Sequence, residues 1–184
     1  SVKNFEKIGR TYLPDGNSFV LPEVELLQEV PVVSAVLGSV AGLPAVQAPL
    51  SHFSVMVKNI SQIFPGGPPV VKAALGYDIT KESLGGDPIH TKISGCIDNV
   101  ADNEDDAFAQ ISTWLSFLPN SKHETSSRKL NDDDPERREE ELLSIIPRNK
   151  RQTYDVKRII NLICDQNSFF EISPLFGKSR IIGF

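Results

Sequence analysis

Residues 38–45, GSVAGLPA, combine small residues, a glycine turn and a proline in a spacing that could hold an anion. The apolar run at residues 31–37 has no helical period, which predicts a strand covered on both faces. Pro44 suits the first turn of a helix. Backbone N–H groups at such a strand-to-helix turn can bind an anion or a developing oxyanion. A simple connection is the alternative, and this stretch alone favours structure over function.

A second stretch, residues 64–76, carries a full set of helix-terminating residues in the sequence FPGGPPVVKAALG. Gly67 can cap a helix, Pro68 and the proline after it fill first-turn positions, and Gly76 can end the helix in a left-handed conformation. The start of this helix would be open to backbone approach at Gly66 and Gly67, which suits a phosphate or a thioester. A capped helix without a chemical role explains the same residues equally well.

The titratable side chains give weaker evidence for a functional site. His90 could titrate near neutrality, but a histidine in such a run is more often a hydrogen-bonded structural residue. No second histidine, acidic pair or cysteine is spaced to form a catalytic or metal set with it. Cys96 and Cys164 lie far apart, which favours a reducing compartment and two small buried hydrophobic residues. The sequence therefore predicts no metal site.

The elements that must position these stretches alternate between short strands and helices. Residues 54–57 and 61–64 are predicted as strands, and Thr80 is predicted to cap a short helix that ends at the glycine pair 85–86. Pro22 is predicted to open a helix that ends before Pro31. This alternation is typical of an α/β layer fold.

The clearest predicted helix begins at residues 103–106, NEDD, whose acidic residues lie at its amino end, and it stops before Pro119. One apolar face is predicted for it. The face consists of Ala107, Phe108, Ile111, Trp114, Leu115 and Leu118.

Composition limits the possible partners. The 184 residues are 40% hydrophobic and 23% charged, which is ordinary for a globular protein, and the formal net charge is −5. That charge argues against a general nucleic-acid or anionic-membrane surface. No apolar run is long enough to span a bilayer, and the amino terminus lacks a signal-peptide pattern. We therefore expect no nucleic-acid partner and no membrane partner.

Residues 121–141 change abruptly to Lys, Glu, Ser, Arg and Asp, which predicts a solvated connector whose arginines neutralise its aspartates. We predict domains at residues 1–120 and 142–184 on either side of this charged linker. The chain opens without methionine and stops within a predicted strand, so we expect a fragment of a longer protein.

Several ordered motifs together resemble one family. They are FPGGPPVVKAALGYDITKESLGGDPIHTKISG, a helix ending in SFLPN, then LLSIIP, TYDVKRIINLICDQNSFFEI and FGKSRIIGF. The series resembles the carboxyltransferase (β) subunits of biotin-dependent acyl-CoA carboxylases, of the propionyl-CoA and methylcrotonoyl-CoA carboxylase type. The resemblance covers nearly all of the chain from about Glu29 onward.

The resemblance implies a crotonase-like α/β fold, a ββα superhelix, with this chain forming the later part of the first half and the start of the second. It implies transfer of CO2 from carboxybiotin to the α-carbon of an acyl-CoA, with the biotin ureido nitrogen as base. Paired backbone amides would stabilise the enolate and ureido oxyanions. Such chemistry needs N–H donors rather than a side-chain triad.

By position, Gly42 and Leu43 match the family's oxyanion glycines in a pattern like AGGA, and the resemblance implies that their N–H groups are the donors. This chain reads AGLP there, so Pro44 cannot donate and the Leu43 side chain narrows the approach. The resemblance assigns acyl-CoA binding to Ala41 and to the segment formed by Gly66, Gly67 and Pro68.

The resemblance also implies partners. These are an acyl-CoA substrate, biotin carried by a partner subunit or domain, a biotin carboxylase or biotin carrier subunit, and a dimer-based homo-hexamer for the full-length protein. It implies cytoplasm or mitochondrial matrix as the location. Two alternatives stay open: an inactive crotonase-fold scaffold, and a crotonase-type decarboxylase or hydratase, although no Glu or Asp lies within the turn to serve the latter.

Overall fold

The computed structural model describes residues 7, 9, 16–126, 128, 131 and 133–184. Residues 1–32 and 33–184 form separate units. The first unit contains helix α1 (Gly16–Glu29), with Pro22 inside it. The predicted helix start at Pro22 is therefore wrong, because an interior proline is tolerated at the cost of one hydrogen bond.

The second unit alternates short strands and helices, which confirms the predicted α/β class. Its strands are β1 (Val33–Val36), β2 (Ser39–Ala41), β3 (Phe53–Val57), β4 (Gln62–Phe64), β5 (Asn99–Ala101), β6 (Glu171–Ile172) and β7 (Ile182–Gly183). Its α-helices are α2 (Leu43–Leu50), α3 (Pro68–Leu75), α4 (Lys81–Gly85), α5 (Glu104–Ser116) and α6 (Val156–Ile163). A π-helical turn (Ile89–Ile93) and a 3-10 turn (Glu140–Leu143) lie between them.

Two parallel sheets organise this unit. One has the strand order β1-β3-β5, and the other pairs β2 with β4. All of β3 is buried, but in β1 only Val36 is buried. The prediction that residues 31–37 form a strand covered on both faces is confirmed: Val36 belongs to one hydrophobic cluster, and Val33, Ala35 and Leu37 pack against a second one. Because β1 is an edge strand, its other residues are half-buried rather than buried.

The side chains of β3 alternate between two hydrophobic clusters, as the pleat of a strand requires. Met56 faces a cluster that reaches under α2, and Phe53 faces one that reaches α5. The first cluster contains Val36, Ala45, Ala48, Met56, Ile63 and Ile97. The second contains Phe53, Val55, Val57, Ala101, Ala107 and Trp114. The core therefore lies on both sides of the central strand.

Helix α5 begins as predicted, because the Asn103 side chain accepts a hydrogen bond from the Asp106 backbone N–H at 2.9 Å. Its apolar face is narrower than predicted. Phe108 is 52% exposed and Leu115 is 39% exposed. Each of them follows a buried residue, Ala107 and Trp114, and one residue along a helix turns the side chain by about 100°. Phe108 and Leu115 therefore lie outside the buried face of α5.

The carboxyl-terminal residues pack on the same sheet as β3. The Phe170 ring meets the Phe53 ring edge-on at 5.6 Å, and the Phe184 ring meets Trp114 edge-on at 6.2 Å. Asn99 on β5 also accepts a hydrogen bond from the Ser173 backbone N–H at 3.0 Å. Aromatic contacts and this hydrogen bond thus attach residues 170–184 to the core formed by residues 33–118.

The charged segment at residues 121–141 is described except for residues 127, 129, 130 and 132. Arg137 is only 21% exposed, and its guanidinium donates to the carbonyl oxygens of Leu162 and Cys164 at 3.2 and 2.8 Å. The Asp133 carboxylate lies 3.4 Å from the Arg137 guanidinium, and its side chain is only 12% exposed. The expectation of a solvated connector is therefore wrong for this ion pair, because it caps the carboxyl end of α6. The domain division at residues 121–141 stays a prediction.

An exposed ion pair joins the end of that segment to α6. The Arg158 guanidinium donates two hydrogen bonds to the Glu141 carboxylate, at 3.1 and 2.6 Å. These bonds hold the pKa of Glu141 below its ordinary value. Because both side chains are solvated, we expect the pair to contribute little to stability.

Candidate active site

Two strand-turn-helix units lie side by side at one edge of the β2-β4 sheet. β2 runs through Gly42 into α2, and β4 runs through residues 65–67 into α3. The strands are parallel and Ala41 lies opposite Phe64, so both turns leave the sheet at the same edge. The Gly42 N–H donates to the Pro65 carbonyl at 3.2 Å and links the two turns. The six residues predicted for the site therefore share one edge.

Gly42 is a glycine because of its backbone. Its φ of 77° and ψ of −140° fall in a region that is almost restricted to glycine. A Cβ atom added there would meet nothing within 4 Å. Space at the turn is thus not the reason for a glycine, and the positive φ is what sends the chain from β2 directly into α2.

In the first turn of α2, the backbone N–H of Leu43 has no acceptor among the described residues. Ala45 donates to the Gly42 carbonyl at 3.1 Å, and Pro44 has no N–H. The Gly42 N–H is already bonded to Pro65. The first N–H groups of a helix have no partner within it, and the helix dipole makes this end electropositive. Of the two predicted donors, Leu43 alone is therefore unengaged.

The helix that follows the second turn, α3, begins and ends as its sequence predicts. Gly67 caps α3 in an extended conformation, a proline lies in the first turn, and Gly76 closes the helix at a φ of 81°. Gly66 and Gly67 are tightly packed: an added Cβ would lie 3.1 Å from Val70 and 3.2 Å from the Phe64 ring. Side chains are thus kept away from this turn, which leaves its backbone half-exposed.

The two turns contain no ionisable group, since residues 40–50 and 60–71 are all uncharged. Ala41, Gly42 and Leu43 are exposed, and Gly66, Gly67 and Pro68 are half-exposed. Backbone dipoles therefore set the electrostatics of this edge. Such an arrangement can stabilise an oxyanion but cannot transfer a proton through a side chain of its own.

Hydrogen bonds from polar side chains hold strand β4 in place. The Ser39 hydroxyl donates to the side-chain Oε1 of Gln62 at 2.5 Å, and the Gln62 side-chain Nε2 donates to Glu82 at 3.2 Å. His90 donates through Nε2 to the Ile63 carbonyl at 2.8 Å. These bonds hold the strand that carries the second turn.

His90 also has a neighbour that the sequence did not predict. The Cys96 Sγ lies 3.1 Å from its Nδ1. The contact arises because the π-helical turn and Gly95, at a φ of 66°, bring residue 96 back to the ring, whereas the absence of a catalytic or metal set around His90 stays a prediction. Both cysteines are free, as predicted, but they are half-buried rather than buried.

Gly85 on α4 packs directly against β4, and we expect Gly85→Ala to lower the free energy of unfolding by about 1–3 kcal/mol. The added Cβ would lie 2.0 Å from the Ile63 carbonyl oxygen, so the strand would have to move. The urea midpoint of unfolding measures the change.

Gly38→Ala is the matched control for that variant. An added Cβ at Gly38 meets nothing within 4 Å, and its φ is not positive. We expect this variant to be unchanged or stabilised by at most about 1 kcal/mol. Equal midpoints for the two variants would contradict the packing described for Gly85.

The comparisons with known proteins agree on one assignment. The family model described as the carboxyl transferase domain matches residues 18–184. The chain belongs to the carboxyl transferase family. Methylmalonyl-CoA decarboxylase subunit alpha of Veillonella parvula and the propionyl-CoA carboxylase carboxyltransferase subunit of Haloferax mediterranei are each 37% identical to it over 155 residues. The human mitochondrial propionyl-CoA carboxylase beta chain is 34% identical over the same length.

Solved structures of carboxyl transferases have the same fold. Transcarboxylase 12S, in a hexamer assembly with hydrolysed methylmalonyl-coenzyme A bound, matches 88% of this chain and 32% of its own with a TM-score of 0.80 and 32% identity. A single-chain long-chain acyl-CoA carboxylase matches at a TM-score of 0.71 and 23% identity, which supports the fold alone. The crotonase-like fold implied by the sequence motifs is confirmed.

The alignments to these relatives cover 84% of this chain, but they span only about 30% of each relative's length. Among the residues that the structure describes, no helix is long and apolar enough to cross a membrane. No cluster of three metal-ligating side chains occurs within the same described residues.

Proposed function

We propose that this chain is part of the carboxyltransferase component of a biotin-dependent acyl-CoA carboxylase that acts on a small acyl-CoA such as propionyl-CoA. One observation carries the proposal. The Leu43 N–H has no acceptor among the described residues, and it lies at the start of α2 beside Gly42, where residues 40–50 and 60–71 of the two turns carry no ionisable side chain. Carboxyl transfer to an acyl-CoA passes through an enolate, and such an edge suits its negative charge.

The proposed contribution of this chain is electrostatic. The Leu43 N–H would donate to the thioester oxygen as charge develops there, and the dipole of α2 adds to the stabilisation. The Gly42 N–H, already bonded to Pro65 O, can join only as a shared three-centre donor. The bond to Pro65 instead fixes the direction of the turn. We therefore assign the main donor to Leu43 and an orienting role to Gly42.

The acyl-CoA would lie along the shared edge of the two turns. Ala41 is exposed at the end of β2, and Gly66, Gly67 and Pro68 present half-exposed backbone across from it. The close packing of Gly66 and Gly67 against Val70 and Phe64 keeps that backbone open to a thioester. We propose these four residues as acyl-CoA contacts.

Biotin fits a site of this kind, because its ureido oxygen is an acceptor and the edge offers N–H donors without a competing carboxylate. When bound, biotin supplies the activated CO2. We propose that a partner biotin carrier brings it and that a biotin carboxylase subunit completes the enzyme. The hexamer named for transcarboxylase 12S supports a dimer-based homo-hexamer as the working assembly.

The domain organisation and the location follow from the same family. We propose that residues 1–120 belong to the first carboxyltransferase half and residues 142–184 to the second, joined by the charged linker at 121–141. The relatives named as mitochondrial support a mitochondrial matrix location, and the archaeal and bacterial ones a cytoplasmic location.

The direction of transfer is a second question. One relative is named a methylmalonyl-CoA decarboxylase subunit and another a propionyl-CoA carboxylase subunit, at the same 37% identity. Addition and removal of the carboxyl group pass through the same enolate, so an oxyanion donor at Leu43 serves both. The experiment must therefore test both directions.

The naturally expressed protein is incubated with carboxylated biotin carrier and propionyl-CoA, and carboxylated product is measured by mass spectrometry. A second reaction supplies methylmalonyl-CoA and uncarboxylated carrier. Product in either direction supports the proposal. If propionyl-CoA binds but neither reaction gives product, the proposal fails and the scaffold alternative stands.

A further inference from the structure

A thiol, an imidazole and a backbone carbonyl oxygen of β4 lie in hydrogen-bond contact, one after another. The Cys96 Sγ lies 3.1 Å from His90 Nδ1, and the opposite ring nitrogen, Nε2, lies 2.8 Å from the Ile63 carbonyl oxygen. A nucleophile within hydrogen-bond reach of a base that a third group orients is the arrangement of activated nucleophiles in enzymes. This row is separate from the backbone donors of the two turns.

The hydrogen-bond partners fix the direction of the proton. A carbonyl oxygen can only accept, so Nε2 must carry the ring hydrogen that is donated to Ile63. In the neutral ring Nδ1 then has a free lone pair, so in any hydrogen bond it acts as the acceptor. The Cys96 thiol can donate to it, and the Ser94 hydroxyl competes for the same lone pair at 3.3 Å.

We propose that Cys96 is a nucleophilic thiol, with His90 as its general base, and that it is modified by soft carbon electrophiles such as α-halocarbonyl and α,β-unsaturated carbonyl compounds. In the reaction with iodoacetamide the thiol proton moves to His90 Nδ1 as a sulfur–carbon bond forms. The carbon–iodine bond breaks and iodide leaves. The imidazolium then loses its proton to solvent, so His90 is regenerated.

Cys96 lies at the boundary between a hydrophobic cluster and an exposed residue, Ser94. Cys96 and His90 are both half-buried, and Ser94, whose hydroxyl lies 3.1 Å from the sulfur, is exposed. Cys96 also packs against the cluster that contains Ile63 and Ile97, which limits its movement away from the imidazole.

Cys164 is a matched internal control. It is also half-buried and free, and its thiol has no hydrogen bond to any residue that the structure describes. The same molecule thus contains two thiols of similar exposure, of which one contacts a base. Because the Arg137 guanidinium lies 2.8 Å from the Cys164 carbonyl oxygen, the part of the rate difference that is lost in His90→Gln reports the effect of His90.

The test treats the folded, naturally expressed protein with limiting iodoacetamide near neutral pH and follows both cysteine-containing peptides by mass spectrometry. We expect Cys96 to be alkylated at least about tenfold faster than Cys164, because general bases typically contribute a hundredfold or more. In denaturant the two rates should become equal. Equal rates in the folded protein would overturn the proposal.

Two variants sharpen the test. His90→Gln keeps a donor for Ile63 but provides no base of comparable strength, so the Cys96 rate should fall to that of Cys164. Ser94→Ala removes the competing hydroxyl and should keep Cys96 faster by at least about tenfold. A fast Cys96 in folded His90→Gln would exclude His90 as the base. If that variant does not fold, the wild-type ratio and Ser94→Ala decide.

Discussion

Leu43→Pro should lower the rate of carboxyl transfer by about 100- to 1000-fold, the usual cost of losing one oxyanion donor. The substitution removes the N–H that has no acceptor among the described residues and little else. Leu43 is the first residue of α2, where proline is well tolerated, so the fold should persist. Rates of product formation from propionyl-CoA and from methylmalonyl-CoA measure the effect.

Leu43→Ala is the matched control, because it shortens the side chain but keeps the N–H. The Leu43 side chain is 44% exposed, so its removal should cost little stability. We expect activity within about threefold of the unmodified protein, since no donor is lost. If Leu43→Pro is as active as Leu43→Ala, the oxyanion donors lie elsewhere.

Phe53→Ala should lower the free energy of unfolding by about 3–5 kcal/mol, the range for a buried phenylalanine. Phe53 is fully buried on β3, its ring stacks on Trp114 at 5.7 Å, and the Phe170 ring contacts its edge at 5.6 Å. Its removal would leave a cavity between the central strand, α5 and the carboxyl-terminal residues. The urea midpoint and the fluorescence of Trp114 report the loss.

Phe108→Ala on α5 provides the comparison for that variant. Phe108 is 52% exposed, so the same chemical change should shift stability by no more than about 0.5 kcal/mol. Similar losses for the two variants would mean that the aromatic cluster is not the core of this unit.

The AGLP sequence at residues 41–44 departs from the AGGA-like pattern that the resemblance implies, and the backbone explains how the turn accommodates it. The positive φ that requires glycine lies at Gly42, which is retained, whereas Leu43 begins a helix and needs no glycine. Pro44 lies in the first turn, where its missing N–H breaks no helical hydrogen bond. The backbone path of the turn is therefore compatible with leucine and proline at these positions.

Local sequence patterns predicted the local structure well. The glycine cap, the prolines and the left-handed Gly76 of α3 were predicted and confirmed, as was the start of α5 at residues 103–106. Such features depend on a residue's own backbone preferences and on neighbours within one turn. The ordered motifs also predicted the family and the crotonase-like fold, because a series of motifs is more specific than any one of them.

Only the tertiary structure decided which groups meet. It brought the turn after β4 beside Gly42, bonded the Gly42 N–H to Pro65, and left Leu43 as the donor. It also folded Cys96 onto His90 and turned Phe108 to solvent. These outcomes depend on strand pairing and on the direction of each side chain. The sequence alone thus determined that a glycine turn opens a helix here, and long-range packing determined which of its N–H groups stays available.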